Sequence, residues 1–101
     1  MIIGSWYAFW AHDTLSGKYS LSQVFQIHYH AVYTLSQLIS RHIAERGTGG
    51  KIINISSIAA EKAMTKFSVY GPAKAAVAQL TNSLANELAV YNIQANTIYP
   101  G

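Results

Sequence analysis

The stretch "GGKIINISS", residues 49–57, decides how this chain folds. Its centre, "KIINIS" (51–56), is short, rich in isoleucine and bounded by glycine and serine, so it reads as a buried strand. The "RGTGG" run (46–50) ahead of it stops a helix, because glycine accepts the left-handed cap and the turn beyond it. That helix is expected from about residue 21 to 45. Ser20 and Gln23 make a capping box at its start, and Val24, Ile27, Ala31, Leu35, Leu38 and Ile43 recur at spacings of three, four and five. Residues 1–19 show no clear period, with turn signals at Asp13-Thr14 and Ser16-Gly17.

Beyond the strand, a loop over about 57–68 leads to "SVYGPAKAAVAQL" (68–80), which opens a second helix expected over about 69–90. Ala73, Val77, Leu80, Leu84 and Leu88 form its apolar stripe. Pro72 fits only in the first turn, where its missing N–H has no intrahelical partner in any case. "IQANTIY" (93–99) is a second apolar strand, broken by Pro100-Gly101. The order is helix, strand, helix, strand. A strand–helix–strand unit joins two parallel strands through a crossover, so the fold class is α/β. The 101 residues form at most one domain, without repeats.

Half of the residues are hydrophobic and 11% are charged, against an average of roughly 25%. This is a globular composition with faces that expect a cover. The net charge of +3 is spread thinly, with no cluster or stripe to bind nucleic acid. Cysteine is absent, which excludes disulfides and thiolate metal sites. His28 and His30, two apart on a helix, point in different directions, so no metal is expected. The opening "MIIGSWYAFWAHD" lacks a basic n-region and a cleavage site, and is too short to span a bilayer. A soluble, cytoplasmic protein without a membrane partner is the expectation.

Tyr70 and Lys74 lie four residues apart, about one helical turn, and so share a face. A phenol titrates near ~10, too high for a base at neutral pH. An ammonium beside it favours the phenolate and is expected to lower that value. Such a pair suits proton transfer. By itself it also arises by chance in many helices. Other chemistries find less support. "RGTGGK" (46–51) follows a helix and precedes a strand, the reverse of a phosphate-binding turn. No G-x-S-x-G elbow accompanies Ser57, so a serine hydrolase is not indicated. The sequon Asn54-Ile55-Ser56 falls in the expected buried strand and reads as chance.

Taken together, "GGKIINISS", "YGPAK" (70–74) and "NIQANTIYPG" (92–101) resemble the C-terminal half of the catalytic core of short-chain dehydrogenases/reductases. The likeness covers roughly residues 20–101, and Ser57 stands thirteen residues before Tyr70, as the family's serine does before its tyrosine. It implies a partial Rossmann-like parallel sheet lacking the N-terminal dinucleotide-binding half. It implies an NAD- or NADP-dependent exchange between an alcohol and a ketone, on a sugar acid, a small hydroxyketone or a 3-oxoacyl substrate. In that scheme Tyr70 is the general acid/base, Lys74 its electrostatic partner and a ligand of the nicotinamide ribose. Ser57 holds the substrate oxygen, and Pro100 and Gly101 form the turn whose backbone approaches the nicotinamide.

The likeness has gaps. His28 aligns with a helix asparagine that relays protons in the family, and reads either as a substitute relay or as an ordinary helix residue. The family's glycine-rich turn and N-N-A-G segment have no counterpart, and Gly4 is not taken as a remnant. The chain alone is therefore expected to be inactive. The alternative is a non-catalytic module that pairs through helices at about 21–45 and 69–90, where Ala73, Ala76 and Ala85 allow close packing in a homo-oligomer.

Overall fold

A computed structural model describes residues 2–3, 21–62 and 68–100, and among these residues it holds nine short and long elements. Strand β1 is Ile2–Ile3. Helix α1 (Leu21–Phe25) runs through a π-helical turn (Gln26–His30) into α2 (Ala31–Arg46). Strand β2 (Gly50–Ile55) follows, then a 3₁₀ turn (Ile58–Ala60), helix α3 (Tyr70–Leu88), a second 3₁₀ turn (Ala89–Tyr91) and strand β3 (Ile93–Ile98). The three strands form one sheet in the order β1-β2-β3, all parallel. The class is α/β, as the strand–helix–strand reading requires.

The segment read as irregular nevertheless supplies β1, whose Ile2 and Ile3 align with Ile53 and Asn54 of β2. Two residues are too few to show a period, so only the sheet reveals them as a strand. The turn signals at Asp13-Thr14 and Ser16-Gly17, the Ser20 cap and Gly101 lie outside the described residues.

Arg46 ends α2 as the glycine run predicts. Gly47 takes φ 69°, and its N–H reaches the carbonyls of Ile43 and Ala44 at 3.1 and 3.2 Å, satisfying the last turn. The apolar stripe expected on this helix is not the buried one. Val24, His28, Val32, Ser36 and Ser40 are buried, whereas Leu35 and Leu38 are 42% and 53% exposed. The π turn is one cause: its i→i+5 bonding inserts a residue and rotates the helix after it. The other is that small serines suit a face lying close against its neighbours.

Helix α3 carries the expected stripe inward. Ala73, Val77, Leu80 and Leu84 are buried, and Pro72 sits in the first turn. The main core joins Val77, Leu80 and Leu84 to Val32 of α2, Ile52 of β2, and Ile93 and Ala95 of β3. The strands are less enclosed than the sequence suggests. In β3 Ile93 and Ala95 are buried while Gln94 and Asn96 are exposed, and in β2 Ile52 and Asn54 are buried while Ile53 and Ile55 are only half-buried. Alternation of period two means that α3 covers one face of the sheet fully, and no described element covers the other as well.

Candidate active site

The parallel sheet sends β2 and β3 out at the same end, and α3 begins there. Ser57, two residues beyond the end of β2, is in extended conformation, φ −161° and ψ 158°. Its Oγ accepts the N–H of Ala59 at 3.2 Å, which caps the 3₁₀ turn over Ile58–Ala60. Ile58 N–H donates to the Pro100 carbonyl at 3.3 Å, so the segment after β3 is tied to the segment after β2. The crevice at the carboxyl ends of parallel strands is where open α/β sheets take ligands.

Tyr70, the first residue of α3, leans into this corner with its ring buried. Its hydroxyl shares a side-chain hydrogen bond with Ser57. His28 comes from the π turn and is fully buried; its ring meets the Tyr70 ring edge-on, with centroids 5.1 Å apart and planes at 82°. Lys74, one turn along α3, is 1% exposed. Its Nζ lies 5.8 Å from the centre of the Tyr70 ring and donates to the Ile55 carbonyl at 3.0 Å. Thus Ser57, Tyr70, Lys74, His28 and Pro100, scattered over more than seventy residues of sequence, converge at one end of the sheet.

The electrostatics differ from the sequence reading. Burial pushes the Tyr70 phenol above its ordinary value near 10, because a phenolate is poorly solvated there, and the Ser57 hydrogen bond pulls it down in part. Ser57, not Lys74, supplies that opposing effect, while the ammonium is directed to a backbone carbonyl. Burial also depresses Lys74, from 10.5 to about 8, since the charged amine loses water. The sequence-level expectation of a Lys74-lowered phenol is therefore corrected: burial outweighs the hydrogen bond and raises Tyr70.

Two polar ties that the sequence reading passed over bind the β2 segment to α3, and a third bond within α3 completes the first of them. Asn54 Nδ2 donates to Thr81 Oγ1 at 2.9 Å, and Thr81 Oγ1 donates to the Val77 carbonyl at 2.9 Å. Ser56 Oγ donates to the Lys74 carbonyl at 2.7 Å. The signal was available: Ile52, Asn54 and Ser56 alternate along a strand, and two polar residues on its covered face call for partners. Where α3 starts, a Cβ on Gly71 would stand 2.9 Å from the Ala59 carbonyl oxygen. Gly71→Ala is accordingly expected to push the first turn off the Ser57 loop and to lower stability by about 1–3 kcal/mol, read by urea denaturation.

Among the described residues no helix is long and apolar enough to cross a membrane. The short chain dehydrogenase family profile matches residues 11–101. The 5-keto-D-gluconate 5-reductase of Escherichia coli is 40% identical over 80 residues, which are 79% of this chain and 31% of that protein. Human L-xylulose reductase is 35% identical over 83 residues, 82% of this chain and 34% of that protein. The chain thus spans about a third of the length of the curated relatives it matches. Among solved structures, an acetoin dehydrogenase from Enterobacter cloacae superposes with a TM-score of 0.90 at 29% identity, covering 99% of this chain and 41% of that one. A gluconate 5-dehydrogenase from Burkholderia cenocepacia, in complex with NADP and tartrate, superposes with a TM-score of 0.86 at 30% identity, covering 99% and 40%. With a profile match over nearly its whole length and relatives of this similarity, the chain belongs to the short-chain dehydrogenase family.

Proposed function

We propose that these residues are the proton-transfer half of an NAD- or NADP-dependent oxidoreductase that interconverts a ketone and an alcohol on a sugar acid or a small hydroxyketone. The observation that carries the reading is the convergence beyond the carboxyl end of β2, where Lys74 Nζ lies 5.8 Å from the centre of the Tyr70 ring and the His28 ring meets it edge-on at 5.1 Å, with Ser57 acting on the phenol. A nicotinamide, when bound, supplies or accepts the hydride. Lys74 suits its ribose: the ammonium has three N–H donors, of which the Ile55 carbonyl takes one. Pro100 and, after it in sequence, Gly101 are the proposed backbone contact to the nicotinamide, supported by the Ile58 N–H bond to the Pro100 carbonyl that ties the segment after β3 to the end of β2.

For reduction, the carbonyl oxygen of the substrate accepts hydrogen bonds from Ser57 and Tyr70. Negative charge gathers on that oxygen as the carbon is reduced, and Tyr70 delivers the proton to it. Oxidation runs the same steps backwards, with the alcohol proton passing to Tyr70. His28 faces the ring of Tyr70 and is the nearest described imidazole for renewing its proton. Support for the substrate class comes from relatives named for 5-keto-D-gluconate, L-xylulose and acetoin.

The test is a chimera in which residues 21–100 replace the matching segment of the Escherichia coli 5-keto-D-gluconate 5-reductase. Reduced nicotinamide should be consumed with 5-keto-D-gluconate, L-xylulose or acetoin. A folded chimera that binds the cofactor and reduces none of a broad ketone panel overturns the proposal.

A second reading, an interaction module in a homo-oligomer, draws on the groove between α2 and α3. Tyr29, Tyr33, Leu80, Leu84 and Tyr91 line it, and Tyr33 and Tyr91 are 46% and 51% exposed. Sedimentation that depends on concentration and is lost on Tyr33→Glu supports this reading, whereas a monomer at high concentration removes it.

A further inference from the structure

The two serines that end "NISS" face different elements. Ser56 points to the covered face of the sheet and is 3% exposed, whereas Ser57 turns toward Tyr70. Ser56 is also the more heavily braced. Its N–H donates to the Ile98 carbonyl of β3 at 2.8 Å, and its Oγ donates to the Lys74 carbonyl of α3 at 2.7 Å. In return, Lys74 Nζ donates to the Ile55 carbonyl, the residue just before Ser56. The residue just after β2 therefore holds the end of β3 and the start of the second turn of α3 together. A further tie, Asn54 to Thr81, lies two turns down the helix. The helix can neither slide along the strand nor rotate on it without breaking a buried polar pair.

Building on the proton-transfer reading above, we infer that Ser56 is a positioning residue for Tyr70: its clamp on the Lys74 carbonyl sets the height of α3 against β2, so that Tyr70 meets Ser57. The hydroxyl of Ser56 bonds to the backbone of α3 at Lys74, so its influence on Tyr70 passes through that backbone. A ring displaced by the width of a hydrogen bond loses Ser57, since such bonds weaken steeply with distance and angle. The loss of one buried hydroxyl is thereby transmitted to a phenol on another element.

The test uses the 101-residue chain without cofactor or substrate, with tyrosine labelled by carbon-13 at Cζ. The Tyr70 signal is identified by its absence in Tyr70→Phe. Ser57→Ala removes the direct hydrogen bond, and Tyr70 is expected to titrate about one pH unit higher. Ser56→Ala should move it by a similar amount in the same direction. The double variant should go no further, because the second change removes a contact already lost. Ser56→Thr, which keeps the hydroxyl, should restore the parent curve. Lys74 and His28, the two other titratable groups against the ring, are unchanged throughout.

Ser56→Cys, of similar size and with a far weaker donor, replaces Ser56→Ala should the latter lose its circular dichroism. A Tyr70 curve unmoved by Ser56→Ala or Ser56→Cys overturns the inference. So does a shift that adds to that of Ser57→Ala, since it would act by another route, and so does a Ser57→Ala variant with no shift. Because this readout needs no turnover, an inactive chimera refutes the oxidoreductase reading and leaves the clamp standing, and an unmoved titration does the reverse.

Discussion

Tyr70→Phe is expected to cut turnover in the active chimera by roughly 10²–10⁴-fold, the range that a positioned proton donor contributes. Phenylalanine keeps the ring that His28 meets edge-on and that Lys74 approaches, and it removes only the hydroxyl bound to Ser57. The fold should therefore survive, with a stability change of about 1 kcal/mol, the usual net worth of one hydrogen bond. Cofactor binding should change little, because Lys74, the residue proposed for the ribose, is left in place. Stopped-flow oxidation of reduced nicotinamide, paired with a thermal melt, separates these effects. Turnover within threefold of the parent would show that the proton comes from another group, and His28 is the next one to replace.

Lys74→Met should have the opposite effects on activity and stability. Turnover should be lost, whereas the chain should become more stable at pH 7 by about 2 kcal/mol. Burial lowers the ammonium from 10.5 to about 8, and at about 1.4 kcal/mol per unit this is roughly 3 kcal/mol of unfavourable charge burial. Losing the donor to the Ile55 carbonyl returns about 1 kcal/mol of that gain. In a domain of this size a net 2 kcal/mol raises Tm by roughly 10 °C.

The pH dependence follows from proton counts. Between about pH 8 and 10.5 the unfolded chain keeps the Lys74 proton and the folded chain has released it. The unfolded state binds more protons there, so stability of the parent rises with pH through this window. Tyr70 acts in the other sense above pH 10, where the unfolded phenol ionises and the buried one does not, so stability then falls. The parent should thus gain stability from pH 8 to about 10 and turn over beyond, while Lys74→Met should lack the rise. Urea midpoints across that range are the measurement. A parent with no rise would mean that the ammonium is hydrated in solution.

Most of the secondary structure and the pairing of Tyr70 with Lys74 were readable from residue order, because both depend on neighbours along the chain. Gly47 caps α2 through bonds to residues three and four back, Pro72 falls within one turn of the start of α3, and Tyr70 and Lys74 meet because a helix returns to the same face every fourth residue. The thirteen-residue interval to Ser57 gave the third member only with the help of a family likeness.

The rest depended on contacts between distant segments. Whether Leu35 or Val32 of α2 faces inward depends on a π turn upstream and on what packs beside it, and neither is written in the apolar spacing. Ile2 and Ile3 are a strand only because β2 lies beside them. The direction in which the Tyr70 phenol moves is set by a balance between lost water and the hydrogen bond to Ser57, while Lys74 points to the Ile55 carbonyl. Desolvation and hydrogen-bond direction are properties of a packed interior. They come into being when β2, β3 and α3 close on one another.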